Sequence, residues 1–371
     1  TKRLLRAIIE KVKGIIPSGG IARQCAARRS KAGADMTIKE IATMCGVSRG
    51  TVDRVLNHRG RVKPETEQAV RAALEQAGYT KNIAGRALTV RRLAPRIGVV
   101  LCCLGNPFFD EVLKGISQAE EELQDWGVRV ELRLLRGYDA AAQLQAMEEL
   151  KDCAALILQP INAEAVRAKI AALADAGVPV ITINADLAGS RRAVYVGADY
   201  YRGGLTAGGM VNLCCDTGAR LGIVAGSRAI LGHGERLQGF LTALHPQHQT
   251  LECFDGEDDP TRIYAGVEAM LRRHGEINAL FVAAAGCASA CQAVLDAGKA
   301  GQVKVFGFDL VPENAAMMRR GVIQALICQQ PRRQGHDALR AAWQLLLNEG
   351  AAQEKILMET SICILQNMDE A

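Results

Sequence analysis

Residues 37–57, Thr-Ile-Lys-Glu-Ile-Ala-Thr-Met-Cys-Gly-Val-Ser-Arg-Gly-Thr-Val-Asp-Arg-Val-Leu-Asn, read as two short helices joined by a turn. Thr37 is a capping residue ahead of Ile38, Ile41 and Ala42, which fall on one helical face. Gly46 supplies the turn. Ser48 caps a second helix in which Val52, Val55 and Leu56 point inward and Arg49, Gly50, Asp53 and Arg54 outward. Such a face suits the major groove of DNA, where arginine bonds bidentately to guanine. Residues 64–77 predict a third helix, with Pro64 in its first turn and Gly78 ending it. Beyond it, Tyr79 to Leu88 and the basic Arg91, Arg92 and Arg96 read as a linker able to become helical, with Asn82 as a cap.

A chain of 371 residues has room for two or three domains, and its composition is that of an ordinary soluble protein. No apolar run approaches the roughly 18 residues of a membrane span. Charge is divided unevenly: Lys and Arg exceed Asp and Glu by about 14 over residues 1–96 and fall about 9 short over the remainder. The basic end is therefore the expected polyanion contact. The 12 cysteines include no Cys-x-x-Cys pair, and most lie in apolar strands or helices, as Cys102, Cys103 and Cys328 do. Reduced, packed thiols and a cytosolic setting are expected. Residues 1–35 place Leu4, Leu5, Ile8, Ile9, Val12, Ile15 and Ile16 at helical spacing among basic residues, as in a membrane-surface helix or targeting segment. The plainer expectation is a native start at Met36 preceded by a disordered or non-native extension.

From Ile97 short apolar runs alternate with longer helical stretches. The expected strands are Ile97–Leu101, Val128–Leu132, Ala155–Leu158, Val180–Ile183, Leu221–Ala225, Ala279–Val282 and Val303–Phe308. This alternation predicts an α/β fold with parallel sheets flanked by helices, split into two lobes near residues 197–200. A ligand is expected between the lobes, at the carboxyl ends of the strands. Polar and aromatic residues gather there, in Asn106-Pro107-Phe108-Phe109, Gln159-Pro160, Asn184-Ala185-Asp186 and Asp309. Flat aromatic faces cover the apolar side of a sugar ring, while carboxylates, amides and guanidinium groups bond its hydroxyls.

From Thr37 to about Leu365 the chain resembles the lactose-repressor (LacI) family of bacterial transcription regulators. The marks are Gly46-Val47-Ser48, Thr51-Val52, Arg54-Val55-Leu56-Asn57, then Tyr79, Asn82 and Ala87-Leu88, followed by a domain similar to periplasmic sugar-binding proteins of type I. The resemblance implies a three-helix reader over 36–80, a hinge helix and linker over 81–95, and an effector domain over 96–371. Lobe 1 would take about 96–198 and 330–358, and lobe 2 about 199–329 and 359–371.

It also implies roles. Thr37, Ser48, Arg49, Gly50, Thr51, Arg54 and Asn57 meet bases or phosphates; Asn82, Arg86 and Leu88 belong to the hinge, with Leu88 entering the minor groove. In the cleft it assigns Asn106, Phe108, Phe109, Gln159, Asn184, Arg236, Asp309 and Gln329 to the ligand, with Asp258 where an aromatic wall residue is common. A bidentate Arg236 facing Asp309 is the expected hydroxyl clamp. Ala284-Ala285-Gly286 and Ala185 depart from the family pattern by removing polar contacts, so a sugar or polyol other than ribose is the leading ligand class.

The expected protein is thus a bacterial, cytoplasmic, sugar-controlled regulator, for which the resemblance implies a repressor role. Its partners would be operator DNA, a small-molecule effector and a second copy, with tetramers as a further option; no membrane, cofactor, metal or enzymatic activity is expected. A nucleoside or purine effector, stacked on Phe108 and Phe109, is the alternative ligand, and a transport-type solute-binding protein the alternative class. His245-Pro-Gln-His248 resembles half a metal site without partners, and Gly232-His-Gly234 does not extend into a phosphate loop.

Overall fold

The computed structural model describes residues 37–56, 62–76, 94–215, 218–347 and 353–368. The chain forms two compact units, one up to Asn82 and one from Ile83. The expected extension over 1–35, the hinge residues Asn82, Arg86 and Leu88, and Asn57 lie outside the described residues.

The smaller unit contains α1 (Ile38–Met44), α2 (Arg49–Leu56) and α3 (Pro64–Gln76). A capping box opens α1: the Glu40 amide donates to Thr37 Oγ1 at 3.4 Å, and the Thr37 amide to Glu40 Oε2 at 2.6 Å. Gly46 turns the chain at φ +61°, a conformation that costs a side chain dearly and glycine little. Ser48 Oγ accepts from the Thr51 amide at 3.1 Å, as expected of a cap. Ile41, Ala42, Val52, Val55, Val70 and Ala73 close a small core between the helices.

In the larger unit the first sheet-forming stretch runs β1 (Arg96–Cys102), α4 (Phe108–Leu123), β2 (Arg129–Leu135), α5 (Ala140–Glu149), β3 (Ala155–Leu158), α6 (Glu164–Asp175), β4 (Val180–Ile183) and β5 (Val194–Ala198). The next runs α7 (Tyr200–Cys214), β6 (Arg220–Ala225), α8 (Leu231–Ala243), β7 (Gln249–Asp255), α9 (Pro260–Arg273), β8 (Ala279–Val282), α10 (Cys287–Asp296), β9 (Lys304–Phe308), α11 (Pro312–Arg319) and β10 (Ile323–Cys328). The chain ends with α12 (Pro331–Leu347), β11 (Lys355–Met358) and β12 (Ser361–Cys363).

These strands make two six-stranded sheets of matching order, β11-β5-β4-β3-β1-β2 and β12-β10-β9-β8-β6-β7. Pairing is parallel except for β10 with β12. Central strands such as β3 and β8 are buried along their whole length, because parallel sheets covered by helices on both faces need continuous apolar runs. The chain passes between the sheets at Asp199, at Gln329-Gln330 and at Glu359-Thr360.

Each lobe clamps one pair of helices by the same means. A Cβ on Gly115 of α4 would lie 1.8 Å from the Arg332 carbonyl oxygen of α12, and one on Gly204 of α7 would lie 2.0 Å from the Arg236 carbonyl oxygen of α8. Only glycine permits either approach. The second contact fixes the height of α8, and so of the Arg236 side chain it carries.

Candidate ligand cleft and helix-turn-helix face

The carboxyl ends of both sheets open on one cavity of about 290 Å³. That is the low end of the ~300–1,000 Å³ usual for ligand pockets, which suits a small molecule. All nine residues expected in the cleft line it: Asn106, Phe108, Phe109, Gln159 and Asn184 from the first lobe, and Arg236, Asp258, Asp309 and Gln329 from the second or its crossover. Tyr138, Tyr200, His233, Phe308 and Asn314 line it too and were not expected. Tyr138 follows β2 at the end of that edge strand, so its place after a strand was the available signal.

Arg236 is 3 % exposed and its guanidinium lies 3.6 Å from the centre of the Phe308 ring and 4.4 Å from that of Tyr200. Its NH1 donates to the Ala283 carbonyl at 2.7 Å and its NH2 to Gln329 Oε1 at 2.8 Å, while Nε is buried and has no partner. Arg236 and Asp309, expected to face each other as a hydroxyl clamp, both line the cavity and make no direct bond to each other. Gln329 stands between them, its Nε2 donating to Asp309 Oδ2 at 2.7 Å. An amide can accept from a cation and donate to an anion at once, which lets one residue at the crossover orient both charges.

Asp309 Oδ1 is buried without a donor, and burial pushes the carboxyl up to about 6, against the lowering pull of Arg236 and Gln329. Asn314 holds the turn beneath it, donating to the carbonyls of Phe308 and Asp309 at 3.1 and 2.9 Å. Asp258 Oδ2 accepts from the Tyr138 hydroxyl at 2.6 Å, and its Oδ1 is again buried without a donor. His233 Nδ1 is 3.1 Å from the Ser227 carbonyl; burial holds this imidazole below its usual pKa, so it donates there as a neutral ring. Burial also pushes the Tyr200 hydroxyl up to about 12, which keeps it a neutral donor.

Among the described residues, bonds that cross between the lobes include Tyr138 to Asp258, Tyr200 to Asn184 Oδ1 at 3.3 Å, and the Asn162 amide to the Ala229 carbonyl at 2.7 Å. The arrangement is a closed cleft. Gln159 is spent on structure, its Oε1 accepting from the Cys102 amide at 3.0 Å, and Asn106 Oδ1 accepts from the Phe108 amide at 3.1 Å at the start of α4. Phe108 and Phe109 meet edge to face at 5.2 Å and also pack in the first lobe's core. Asp186, noted at the same strand end as Asn184, is paired with Arg192 at 2.5 and 2.8 Å and does not line the cavity. His248 of the His-Pro-Gln-His stretch accepts from the Ala219 amide at 2.8 Å.

On the helix-turn-helix, Arg49, Gly50, Asp53 and Arg54 are all exposed, and Val52 and Val55 buried. Arg54 lies along its own helix, Nε donating to the Gly50 carbonyl at 3.1 Å and NH2 to Thr51 Oγ1 at 3.3 Å. Ser48 Oγ and Thr51 Oγ1 are 2.9 Å apart, and Thr37 is exposed. Arg49 and Arg54 are thus exposed donors on α2, with Ser48 at its start, while Thr37 caps α1. Among the described residues no helix is long and apolar enough to cross a membrane.

Residues 37–82 match the family model described as bacterial regulatory proteins, lacI family, and residues 97–350 the model described as periplasmic binding protein domain. Among curated proteins, the regulator GalR of Salmonella typhimurium is 27 % identical over 284 residues, 74 % of this chain and 79 % of that protein. The ribose import binding protein RbsB of Bacillus subtilis is 27 % identical over 253 residues, 67 % of this chain and 81 % of that protein. The solved glucose-galactose binding protein GanP of Geobacillus stearothermophilus superposes with a TM-score of 0.70 at 22 % identity, covering 74 % of this chain and 99 % of that one.

Proposed function

The chain belongs to the LacI family of bacterial regulatory proteins, with a periplasmic-binding-protein domain as its larger part, and from that premise we propose that it is a cytoplasmic repressor whose hold on operator DNA is set by a monosaccharide-sized polyol. It is a DNA-binding transcriptional regulator. The observation that carries the ligand reading is the Arg236–Gln329–Asp309 chain, with an unpartnered nitrogen and an unpartnered oxygen beside the closed cavity. Paired hydroxyls on neighbouring carbons offer one acceptor and one donor to such a set. The similarity to a ribose import binding protein supports saccharide recognition on this architecture.

Base reading is assigned to Arg49 and Arg54, with Gly50 allowing close approach and Thr37, Ser48 and Thr51 bonding phosphates. Binding as a homodimer follows from the small reader: one α2 helix offers few base contacts, and two half-sites double them. No catalytic role is assigned to the cleft, since its polar groups hold one another rather than a nucleophile and base. The purine alternative is the weaker reading, because Phe108 and Phe109 use their rings against each other and the core.

The test has two arms. Operator sequences are selected from random DNA with the full chain, and a saccharide panel is screened by thermal shift. A sugar that stabilises the protein should change its affinity for the selected DNA by at least about tenfold, within the 1–3 kcal/mol usual for allosteric coupling. A stabilising sugar that leaves DNA affinity unchanged refutes the regulatory link.

A further inference from the structure

The cavity holds an excess of negative charge. Its lining includes the carboxyl groups of Asp258 and Asp309, with Glu313 exposed at the rim, against the single guanidinium of Arg236. Arg236, Gln329 and Asp309 form one internally compensated set, cation and anion joined through the amide. Asp258 is not bonded into that set and feels Arg236 only through space. Its nearest basic group is the His233 ring, 4.0 Å from Oδ2, and that ring is held neutral by burial. Its side chain is 11 % exposed; Tyr138 supplies one neutral hydrogen bond, and Oδ1 is buried without any donor. Ala284, Ala285 and Ala288, which also line the cavity, are apolar and bring no cation to it. A desolvated carboxylate is costly unless a cation or several donors reach it.

Resting on the reading of this cavity as a polyol site, we propose that the effector is an amino-substituted polyol, an ammonium-bearing sugar or cyclitol, whose hydroxyls engage Arg236, Gln329 and Asp309 and whose nitrogen is received by Asp258. An ammonium carries three donors and a positive charge, which meets both deficits of Asp258 at once. It also explains the Asp258–Tyr138 bond across the cleft: the group that receives the nitrogen is held by the opposite lobe, so ligand charge strengthens the same closure.

The experiment titrates the full chain calorimetrically at pH 7.5 with aminohexoses bearing nitrogen at different ring positions, an aminocyclitol, their neutral parents and their N-acetyl derivatives. At least one amine should bind tighter than both its parent and its N-acetyl form by about tenfold or more, ~1.4 kcal/mol. In Asp258→Asn, which keeps an acceptor for Tyr138 and suits the left-handed backbone at φ +59°, that preference should disappear. A neutral parent binding as tightly as its amine overturns the inference and leaves the polyol cleft standing. Retention of the preference in Asp258→Asn overturns the assignment to Asp258. Failure of every saccharide and cyclitol at millimolar concentration overturns the polyol reading itself, and the inference with it.

Discussion

Replacing Asp309 by Asn should make the ligand-free protein more stable at neutral pH while abolishing its response to ligand. Burial raises this carboxyl from 3.8 to about 6 in the folded chain. Each unit is worth about 1.4 kcal/mol, so ionising Asp309 in the folded state costs about 2–3 kcal/mol more than in the unfolded chain. Asn imitates the protonated acid. It still offers an oxygen to Gln329 Nε2, and it accepts φ +60° at least as readily as Asp. The folded wild type keeps its proton to higher pH than the unfolded chain, so its stability is greatest below about 4, falls as pH rises through about 6, and is level above. The variant lacks that fall. Thermal or urea unfolding across pH 4–8 should show an advantage near zero at pH 4 that grows to about 2–3 kcal/mol, on the order of 5 °C, by pH 7.5. An Asn variant no more stable than wild type at pH 7.5, or one with a pH-independent difference, refutes the reasoning.

Arg54→Ala should reduce selectivity for the selected operator over random DNA by about 1–3 kcal/mol, read by fluorescence anisotropy; unchanged selectivity removes Arg54 from the base-reading set. Gly204→Ala should destabilise by roughly 1–3 kcal/mol despite gaining helix propensity, because its Cβ would sit 2.0 Å from the Arg236 carbonyl oxygen, and it should weaken ligand binding by displacing α8. Gly209→Ala, on the same helix with open space around it, should instead be neutral or stabilising in the same urea titration. Tyr138→Phe removes the 2.6 Å bond to Asp258 and should weaken ligand binding by roughly 1.5–3 kcal/mol, with a larger radius of gyration in the ligand-free protein by X-ray scattering.

Much of this architecture was legible because burial leaves a continuous apolar mark. The expected β3, β4 and β8 coincide with the observed strands, all three buried at every residue. β7 escaped because it is an edge strand: Gln249, Thr250 and Glu252 face water or neighbours and break the pattern. The terminal β11 and β12 are short and half-exposed, and so leave little trace. β5 and β10 are as buried as the strands that were expected, and their signal was readable. In the helix-turn-helix, Thr37, Gly46 and Ser48 announced the caps and the turn because each residue type answers a local backbone demand. The cleft was legible where residues follow a strand directly, as Asn184 and Asp309 do. Of the residues that helices deliver, Phe108 and Phe109 directly follow a strand end and Arg236 came from the resemblance, whereas Tyr200 and His233, which reach the cavity through the packing of α7 on α8, left no such mark. The role of Gln329 as a bridge between Arg236 and Asp309 required distances.

Residue type alone does not identify the cleft's function, because Asn184, Asp258 and Asp309 all occupy left-handed backbone, at φ +62°, +59° and +60°. Asn and Asp are the side chains that tolerate that conformation best, so the turns would favour them with or without a ligand. What separates function from backbone demand is the distribution of unmet hydrogen bonds. Among the described residues, buried side-chain atoms without a partner occur at Ser190, Arg236, His248, Asp258, Asp309 and Gln334, and three of these six residues line the same cavity. Each such atom costs roughly 1–3 kcal/mol, and a turn gains nothing from it. A backbone that needed only left-handed Asn or Asp would leave these groups in water or bond them internally, as Asn314 bonds its own turn. Their concentration around one space, in carboxylate and guanidinium form, is an arrangement in which hydroxyl or ammonium groups of a bound molecule would offset a standing penalty.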